Sequence, residues 1–100
     1  MDVRQLRYFV GVVNSGSFSD ASLYMHVAQS ALSRHIKSLE HTVGGELLER
    51  HPKGITPTKL GWHLYEQAKR IVTEVEELPS KIRDKNYKIK GQVTLGAPNS

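Results

Sequence analysis

Residues 29–42 read QSALSRHIKSLEHT, and this stretch decides the fold. An advance of about 100° per residue along a helix puts Leu32, Ile36 and Leu39 on one narrow apolar stripe. The opposite side carries amide, hydroxyl and basic groups and no acid: Gln29, Ser30, Ser33, Arg34, Lys37 and His41. Such groups read base edges and hold phosphates, whereas an ordinary solvent face mixes both signs of charge. The pattern predicts a helix that begins near Gln29 and binds DNA, with a merely solvated polar face as the alternative.

Two shorter helices are predicted before this one. The first begins after Asp2, a good N-cap, and runs to about Asn14, with Gly16 as its stop. Ser19 is predicted to cap the second helix, which spans barely two turns. The second and third helices together predict a helix-turn-helix at about residues 18–41.

Two short apolar runs and a tight turn follow the third helix. Pro52 and Gly54 bracket the turn, which predicts a small β-hairpin. Its tip is predicted to carry Arg50, His51 and Lys53. Basic residues at such a tip can reach phosphates or the minor groove beside a helix that occupies the major groove. We interpret the hairpin as a wing, with an ordinary loop as the alternative.

A longer helix is predicted from Thr58, which serves as its cap. Its apolar residues recur at steps of four and three: Leu64, Ala68, Ile71, Val75, Leu78 and Ile82. This heptad spacing is typical of a helix that packs lengthwise on another helix. Since residues 1–58 supply too small a core to cover the stripe, we expect pairing with a second copy. Packing on its own domain is the alternative, and Pro79 predicts a kink or an early end near Leu78.

The composition limits the class of protein. The 100 residues, 38% hydrophobic and 24% charged, are enough for one small core. The absence of cysteine excludes disulfides and thiolate sites and fits the cytoplasm. The five histidines lack the spacing of a helical metal pair, and no nucleophile motif or glycine-rich phosphate loop occurs. We therefore predict no catalytic residues and no metal site, and we expect neither a signal peptide nor a membrane span.

Net charge is weak support for DNA binding. The chain carries +4, but residues 1–58 hold six Lys and Arg against five acids. Most of the basic excess lies in residues 59–100. The placement of each basic residue, and not the total charge, therefore carries the DNA interpretation.

The chain resembles the N-terminal region of LysR-type transcriptional regulators over its whole length. Three segments carry the resemblance, in the order and at the separations of that family: LRYFVGVVNSGSFSDAS, HVAQSALSRHIKSLEHTVGGELLER and KGITPTKLG. It implies a mainly α fold, a winged helix-turn-helix of three helices and a small β-hairpin at residues 1–58. A long dimerisation linker helix would follow at residues 59–88. Residues 89–100 would be a hinge and the first strand of an absent effector-binding domain.

The resemblance also implies roles for individual residues. Gln29, Ser33 and Arg34 stand at the family's base-reading positions, and we add Ser30, which stands where proline is common. We expect DNA-backbone contacts from four residues: Ser17, Ser19, Lys37 and Thr58. Arg50 and Lys53 match the wing, where we also place His51. Ser22 replaces an alanine usually buried between two helices, so its hydroxyl should need a carbonyl partner one turn back.

The function implied is sequence-specific binding of double-stranded promoter DNA by a bacterial, cytoplasmic, nucleoid-associated regulator. Pairing through the linker helix would present two recognition helices to an interrupted inverted repeat, as a homodimer or a homotetramer. No cofactor and no membrane partner are expected for this chain, and a small-molecule effector would bind the absent C-terminal domain. The alternative function is a coiled-coil protein-interaction module whose basic face is incidental.

Overall fold

The computed structural model describes the backbone of residues 1–92 and the side chains of residues 1–84. Its elements follow in this order: α1 (Val3–Ser15), α2 (Phe18–Met25), α3 (Gln29–Val43), β1 (Leu48–His51), β2 (Gly54–Pro57) and α4 (Lys59–Gln92). The two strands pair antiparallel. The predicted fold of three helices, a two-stranded wing and a long final helix is confirmed.

Asp2 and Gly16 fix the two ends of α1, as predicted. The Asp2 carboxylate accepts a hydrogen bond from the backbone N–H of Gln5 at 2.8 Å. This bond favours the charged carboxylate and lowers the pKa of Asp2 from its ordinary value. Gly16 adopts the left-handed conformation at φ 75°, and its N–H donates to the carbonyl of Val12.

The N-cap of α2 is Ser17, so the prediction that Ser19 caps this helix is wrong. The Ser17 hydroxyl oxygen accepts a hydrogen bond from the N–H of Asp20 at 2.9 Å. Because Gly16 already turns the chain at the end of α1, the single extended residue Ser17 is enough to start a new helix at Phe18. Ser19 lies exposed in the first turn of α2.

A left-handed residue, His26, turns the chain between α2 and α3. Its φ of 58° is the one positive value among the described residues other than glycine. Across this turn the Ser22 hydroxyl donates to the carbonyl of Val27 at 2.5 Å. The half-buried hydroxyl thus has a carbonyl partner, as expected, but the turn supplies it five residues ahead and not one turn back.

The apolar stripe of α3 faces the core. Leu32 and Leu39 are fully buried and Ile36 is 3% exposed, so the predicted inward face is confirmed. Phe9 of α1 is fully buried in the same cluster. Each such side chain stabilises the fold by about 1.5–3 kcal/mol when it is removed from water. The core therefore fixes the rotation of α3 and leaves its opposite side to solvent.

The wing is docked on the turn between α1 and α2. The N–H of Ile55 donates to the carbonyl of Gly16 at 2.9 Å. Gly54 has φ 133°, and a Cβ there would lie 2.5 Å from the Gly16 carbonyl oxygen, so glycine is required for this approach. The tip consists of Pro52 and Lys53. Arg50 lies within β1, opposite Ile55, and not at the tip where the sequence placed it.

Thr58 starts α4, as predicted. Its hydroxyl oxygen accepts a hydrogen bond from the N–H of Gly61 at 3.0 Å and donates to the carbonyl of Glu46 at 2.6 Å. A Cβ on Gly61 would overlap the carbonyl oxygen of Leu47. The first turn of α4 therefore packs directly on the segment that leads into the wing.

The helix α4 does not end near Pro79; it continues to Gln92. A proline removes its own N–H from the helical ladder and its ring clashes with the carbonyl four residues back, at a cost of roughly 3 kcal/mol. Lys81 Nζ lies 3.7 Å from a Glu77 carboxylate oxygen, an exposed pair that offsets only about 0.2–0.5 kcal/mol of this cost. Residues 89–92 of the predicted hinge are helical. The strand predicted in the remainder, residues 93–100, lies outside the described residues.

Candidate nucleic-acid interface

The exposed face of α3 brings the predicted base-reading residues together. Gln29, Ser30 and Arg34 are exposed, and Ser33 is half-buried at the flank. All four lie in the first two turns, and Leu32 on the other side of these turns is fully buried. This end of the helix therefore offers an amide, two hydroxyls and a guanidinium side by side.

No side chain caps the N-terminus of α3. Ala28, the residue before it, has an extended backbone and makes no side-chain cap bond. The first N–H groups of the helix have no side-chain acceptor, and the positive end of the helix dipole lies there. The start of α3, next to Gln29 and Ser30, is thus suited to an anionic neighbour such as a phosphate.

The one acid in α3 lies beyond the base-reading residues and is hydrogen-bonded to the backbone. Glu40 is half-buried, and its carboxylate accepts a hydrogen bond from the backbone N–H of Leu47 at 2.8 Å. It ties the end of α3 to the loop before the wing. Lys37, one turn beyond Arg34, is exposed.

Ser17 and Ser19 mark the start of α2 as a second polar edge. Ser17 uses its hydroxyl oxygen as an acceptor, so its hydroxyl proton is still available to donate. Ser19 is exposed. The residue before Ser17 is bonded to the wing through Ile55, so the start of α2 and the hairpin lie next to each other.

Thr58, for which a phosphate contact is predicted, makes two hydrogen bonds within the chain. A threonine hydroxyl has one proton, and that of Thr58 is already donated to the Glu46 carbonyl. Its oxygen accepts from Gly61 at the same time. The hydroxyl therefore links the start of α4 to the segment before the wing.

The wing presents its basic residues in two ways. The Arg50 guanidinium lies over the Phe18 ring, with its central carbon 4.7 Å from the ring centroid. Lys53 is exposed at the tip, and its backbone N–H donates to Nδ1 of His51 at 3.3 Å. The imidazole of His51 thus helps to shape the turn, while it stays exposed.

A cleft of about 530 Å³ separates α3 from the wing. Ser33, Lys37 and Glu40 line it from α3, Glu46 from the loop before the wing, and Glu49 and Arg50 from β1. Phe18 of α2 also lines it. The recognition helix, the wing and the start of α2 therefore border one continuous surface.

Sequence reasoning missed the contacts that hold α3 on α1. The side-chain amide nitrogen of Gln5 lies 3.2 Å from Nδ1 of His35. The ring of Tyr8 lies 5.0 Å from the His35 ring, at a tilt of 55°. Because these partners are far apart in sequence, neither helical periodicity nor a local motif could indicate them.

The predicted dimer seam of α4 divides into two parts. Ala68 is fully buried, and Leu64 is half-buried against the same core, because α1 packs on this part of α4. Val72, which the heptad pattern does not include, is also buried there. The structure thus moves Ala68 from the seam to the core. Four seam residues are exposed, at 38–57%: Ile71, Val75, Leu78 and Ile82.

Polar contacts reinforce the packing of α4 on α1. The Tyr65 hydroxyl donates to the side-chain carbonyl of Asn14 at 2.6 Å. Nε of Arg7 lies 3.5 Å from a Glu76 carboxylate oxygen. The first half of α4 is therefore fixed to the domain, and the exposed stripe lies on a different side of the same helix.

No group of three or more acids and histidines that could hold a metal ion occurs among the described residues. In the same part of the chain, no helix combines the length and the apolar character that crossing a membrane requires.

Comparison with known proteins agrees with this geometry. The chain is similar to the nitrogen assimilation regulatory protein nac of Klebsiella aerogenes, with 36% identity over 96 residues, which cover 96% of this chain and 32% of that protein. It is 39% identical over 80 residues to the transcriptional regulator BenM of Acinetobacter baylyi, covering 80% of this chain and 26% of BenM. The chain thus spans about a third or less of the length of these relatives.

Solved structures share the fold. The BenM DBD in a crystal structure with benA site 1 DNA matches with a TM-score of 0.78 and 37% identity, over 84% of this chain and 98% of that one. The full-length regulator LysG of Corynebacterium glutamicum matches with a TM-score of 0.81 and 30% identity, over 89% of this chain and 30% of that one. Residues 3–62 match the family described as "Bacterial regulatory helix-turn-helix protein, lysR family". The chain therefore belongs to the lysR family of bacterial regulatory helix-turn-helix proteins.

Proposed function

We propose that this chain binds double-stranded DNA sequence-specifically, with α3 in the major groove and the wing beside it. The observation that carries the proposal is the exposed face of α3, which presents amide, hydroxyl and basic groups and no acid. A helix fits the major groove, where each base pair offers a distinct pattern of donors and acceptors. The BenM complex with DNA supports the same use of this fold.

The first two turns of α3 read the bases. Arg34 donates two hydrogen bonds to a guanine, and Gln29 exchanges two with an adenine, the pairings that the geometry of these side chains favours. Ser30 and Ser33 are shorter and can bond to several bases, so they contribute less to specificity. Gln29, Ser30 and Arg34 are exposed, whereas Ser33 lies half-buried at the flank. This placement supports the larger role of Gln29 and Arg34 in base reading.

Other residues hold the DNA backbone. Lys37 binds a phosphate beside the groove, and Ser17 and Ser19 donate to phosphates from the start of α2. The wing residues Arg50 and Lys53, with His51 between them in sequence, reach the phosphates or the minor groove next to the site. These contacts position α3 and carry no sequence information of their own.

Two copies pair through the exposed stripe of α4. Its exposed apolar residues recur at heptad steps over residues 71–82, and no part of the chain's own described core packs on them: Ile71, Val75, Leu78 and Ile82. Pairing presents two recognition helices, so the DNA site is an interrupted inverted repeat in a promoter. Two such dimers can assemble into a tetramer.

The chain acts as the DNA-binding part of a transcriptional regulator and not as an enzyme, which the names of its relatives support. A small-molecule effector binds a further domain, which the structure of full-length LysG with bound effector Arg supports. No cofactor is assigned to residues 1–100. A regulator that reads promoter DNA works where the chromosome lies, so we place it in the cytoplasm, associated with the nucleoid.

Selection from a pool of random duplexes tests the proposal. The chain should enrich a short inverted repeat, and its affinity for the enriched duplex should fall steeply with salt while exceeding that for a scrambled duplex by a thousandfold or more, as is usual for specific sites. Enrichment of no sequence would contradict the proposal. It would favour the protein-interaction module, which gains no support from the relatives.

A further inference from the structure

Arg50 is held by an aromatic ring and not by an acid. Its guanidinium carbon lies 4.7 Å from the centroid of Phe18, within the range of a cation–π interaction. None of the ion pairs among residues 1–84 involves Arg50. The side chain is exposed, so its positive charge remains available at the surface.

Both partners of this contact are fixed by the fold. Phe18 is 8% exposed and is the first residue of α2, directly after the capping residue Ser17. Arg50 pairs with Ile55 across the hairpin, and the N–H of Ile55 is bonded to Gly16, two residues before Phe18. The start of α2 and the register of the hairpin therefore determine together where the guanidinium lies.

We propose that Phe18 is a positioning residue that holds the Arg50 guanidinium ready for a DNA phosphate, an inference that rests on the proposed DNA-binding function. A stacked guanidinium uses its flat face, and the N–H groups on its edge remain free to donate. A free arginine side chain loses rotamer freedom when it binds, and stacking removes part of that freedom beforehand.

The cleft indicates which phosphate Arg50 meets. Arg50 lies on the wing side, and Lys37 of α3 lies on the other side. Two basic groups across one cleft suit a DNA strand that borders the groove occupied by α3. Three acids, Glu40, Glu46 and Glu49, also line this cleft, and because like charges repel, a phosphate is favoured only beside the two basic groups.

A double-mutant cycle tests the proposal: Phe18→Leu, Arg50→Ala and the double variant, each titrated at low salt with a short duplex of random sequence. Since the expected contact is to a phosphate, a random duplex reports it. Phe18→Leu should weaken binding by about two- to fivefold in the wild-type background, because the Arg50 side chain must then lose its rotamer freedom on binding. In the Arg50→Ala background it should have no further effect. If Phe18→Leu lowered the DNA affinity equally in both backgrounds, Phe18 would act only through the fold and not through Arg50.

Phe9→Leu is the matched control, since it also shortens a buried phenylalanine but at a site without a cation on its ring. It should lower the thermal stability and leave the affinity of the folded protein unchanged. If Phe9→Leu lowered the DNA affinity as much as Phe18→Leu does, the proposal would be overturned.

A measurement on the unaltered chain does not depend on the folding of variants. The Arg50 side-chain proton resonances should be shifted upfield by the Phe18 ring, and they should stay shifted when the random duplex is added. If DNA removes the shift, Arg50 leaves the ring to bind and the inference is wrong. If the wild-type chain does not bind the duplex in a salt-dependent way, the proposed function itself fails, whereas normal binding with an additive cycle rejects only the role of Phe18.

Discussion

Replacement of Thr58 by valine separates a structural role of this residue from a role in DNA binding. The Thr58 hydroxyl donates to the carbonyl of Glu46 at 2.6 Å and accepts from the N–H of Gly61 at 3.0 Å. Valine has nearly the same shape and removes both bonds without opening a cavity. We expect the variant to be less stable and to bind DNA normally when it is folded.

The size of the effect follows from the two hydrogen bonds of Thr58. Loss of a helix cap costs typically about 1 kcal/mol, and loss of a second hydrogen bond about the same. The free energy of unfolding should therefore fall by about 2 kcal/mol, which lowers Tm by roughly 8–16 °C for a domain of this size. The backbone bond from the N–H of Thr58 to the carbonyl of Leu47, at 2.9 Å, is not affected by the change.

Urea unfolding followed by circular dichroism measures the stability, at equal protein concentration because pairing makes the midpoint depend on concentration. Thr58→Ser keeps the hydroxyl and is the control, with stability close to that of the wild type. DNA affinity is then compared at a temperature where all variants are folded. The structural role of Thr58 would be refuted if Thr58→Val were as stable as the wild type but bound DNA about tenfold more weakly. A loss of affinity of that size is expected when a hydrogen bond to a charged phosphate is lost.

Three further predictions concern separate surfaces. Lys37→Ala should weaken binding to all duplexes alike and reduce the slope of log affinity against log salt by about 1, measured by fluorescence anisotropy; a loss confined to the selected sequence would contradict a phosphate contact. Ile71→Glu should dissociate the dimer in analytical ultracentrifugation, while Thr73→Gln, on the other side of α4, should not; a dimer that survives Ile71→Glu must pair through another surface. The pKa of the Asp2 carboxyl is lower in the folded chain than its ordinary value of 3.8. The charged carboxylate therefore stabilises the fold above pH 3.8, and this stabilisation is lost as the pH falls through the lowered pKa. Thermal unfolding should therefore show Asp2→Asn to be less stable than the wild type at neutral pH but equal to it in strong acid, and a difference that persists in acid would contradict this role.

Local sequence signals predicted the parts of the fold that depend on near neighbours. The spacing of Leu32, Ile36 and Leu39 predicted the inward face of α3, because a helix with one buried side carries apolar residues at helical spacing on that side. Asp2 and Thr58 were recognisable as caps because a cap bonds to a backbone N–H only three residues away. The same locality explains why the turn at Pro52 was found.

Features that depend on distant parts of the chain could not be predicted. The heptad spacing of α4 indicated a long apolar stripe, but it could not show that α1 already covers Ala68. The Ser17 cap is a separate case, because its signal is local: Gly16 turns the chain one residue before Ser17, and the prediction of Ser19 did not use this turn. The stacking of Arg50 on Phe18 joins residues of different elements and has no local signal.

Base reading by α3 is most directly tested by methylation interference on the selected duplex, with the wild-type chain and with Arg34→Ala. Methylation of guanine N7 blocks a major-groove contact from arginine. We predict that N7 methylation of one guanine in each half-site prevents wild-type binding. Arg34→Ala should bind about 1–3 kcal/mol more weakly and should not distinguish the methylated from the unmethylated guanine. An interference pattern that is identical for both proteins would contradict the assignment of α3 as the reading helix through Arg34.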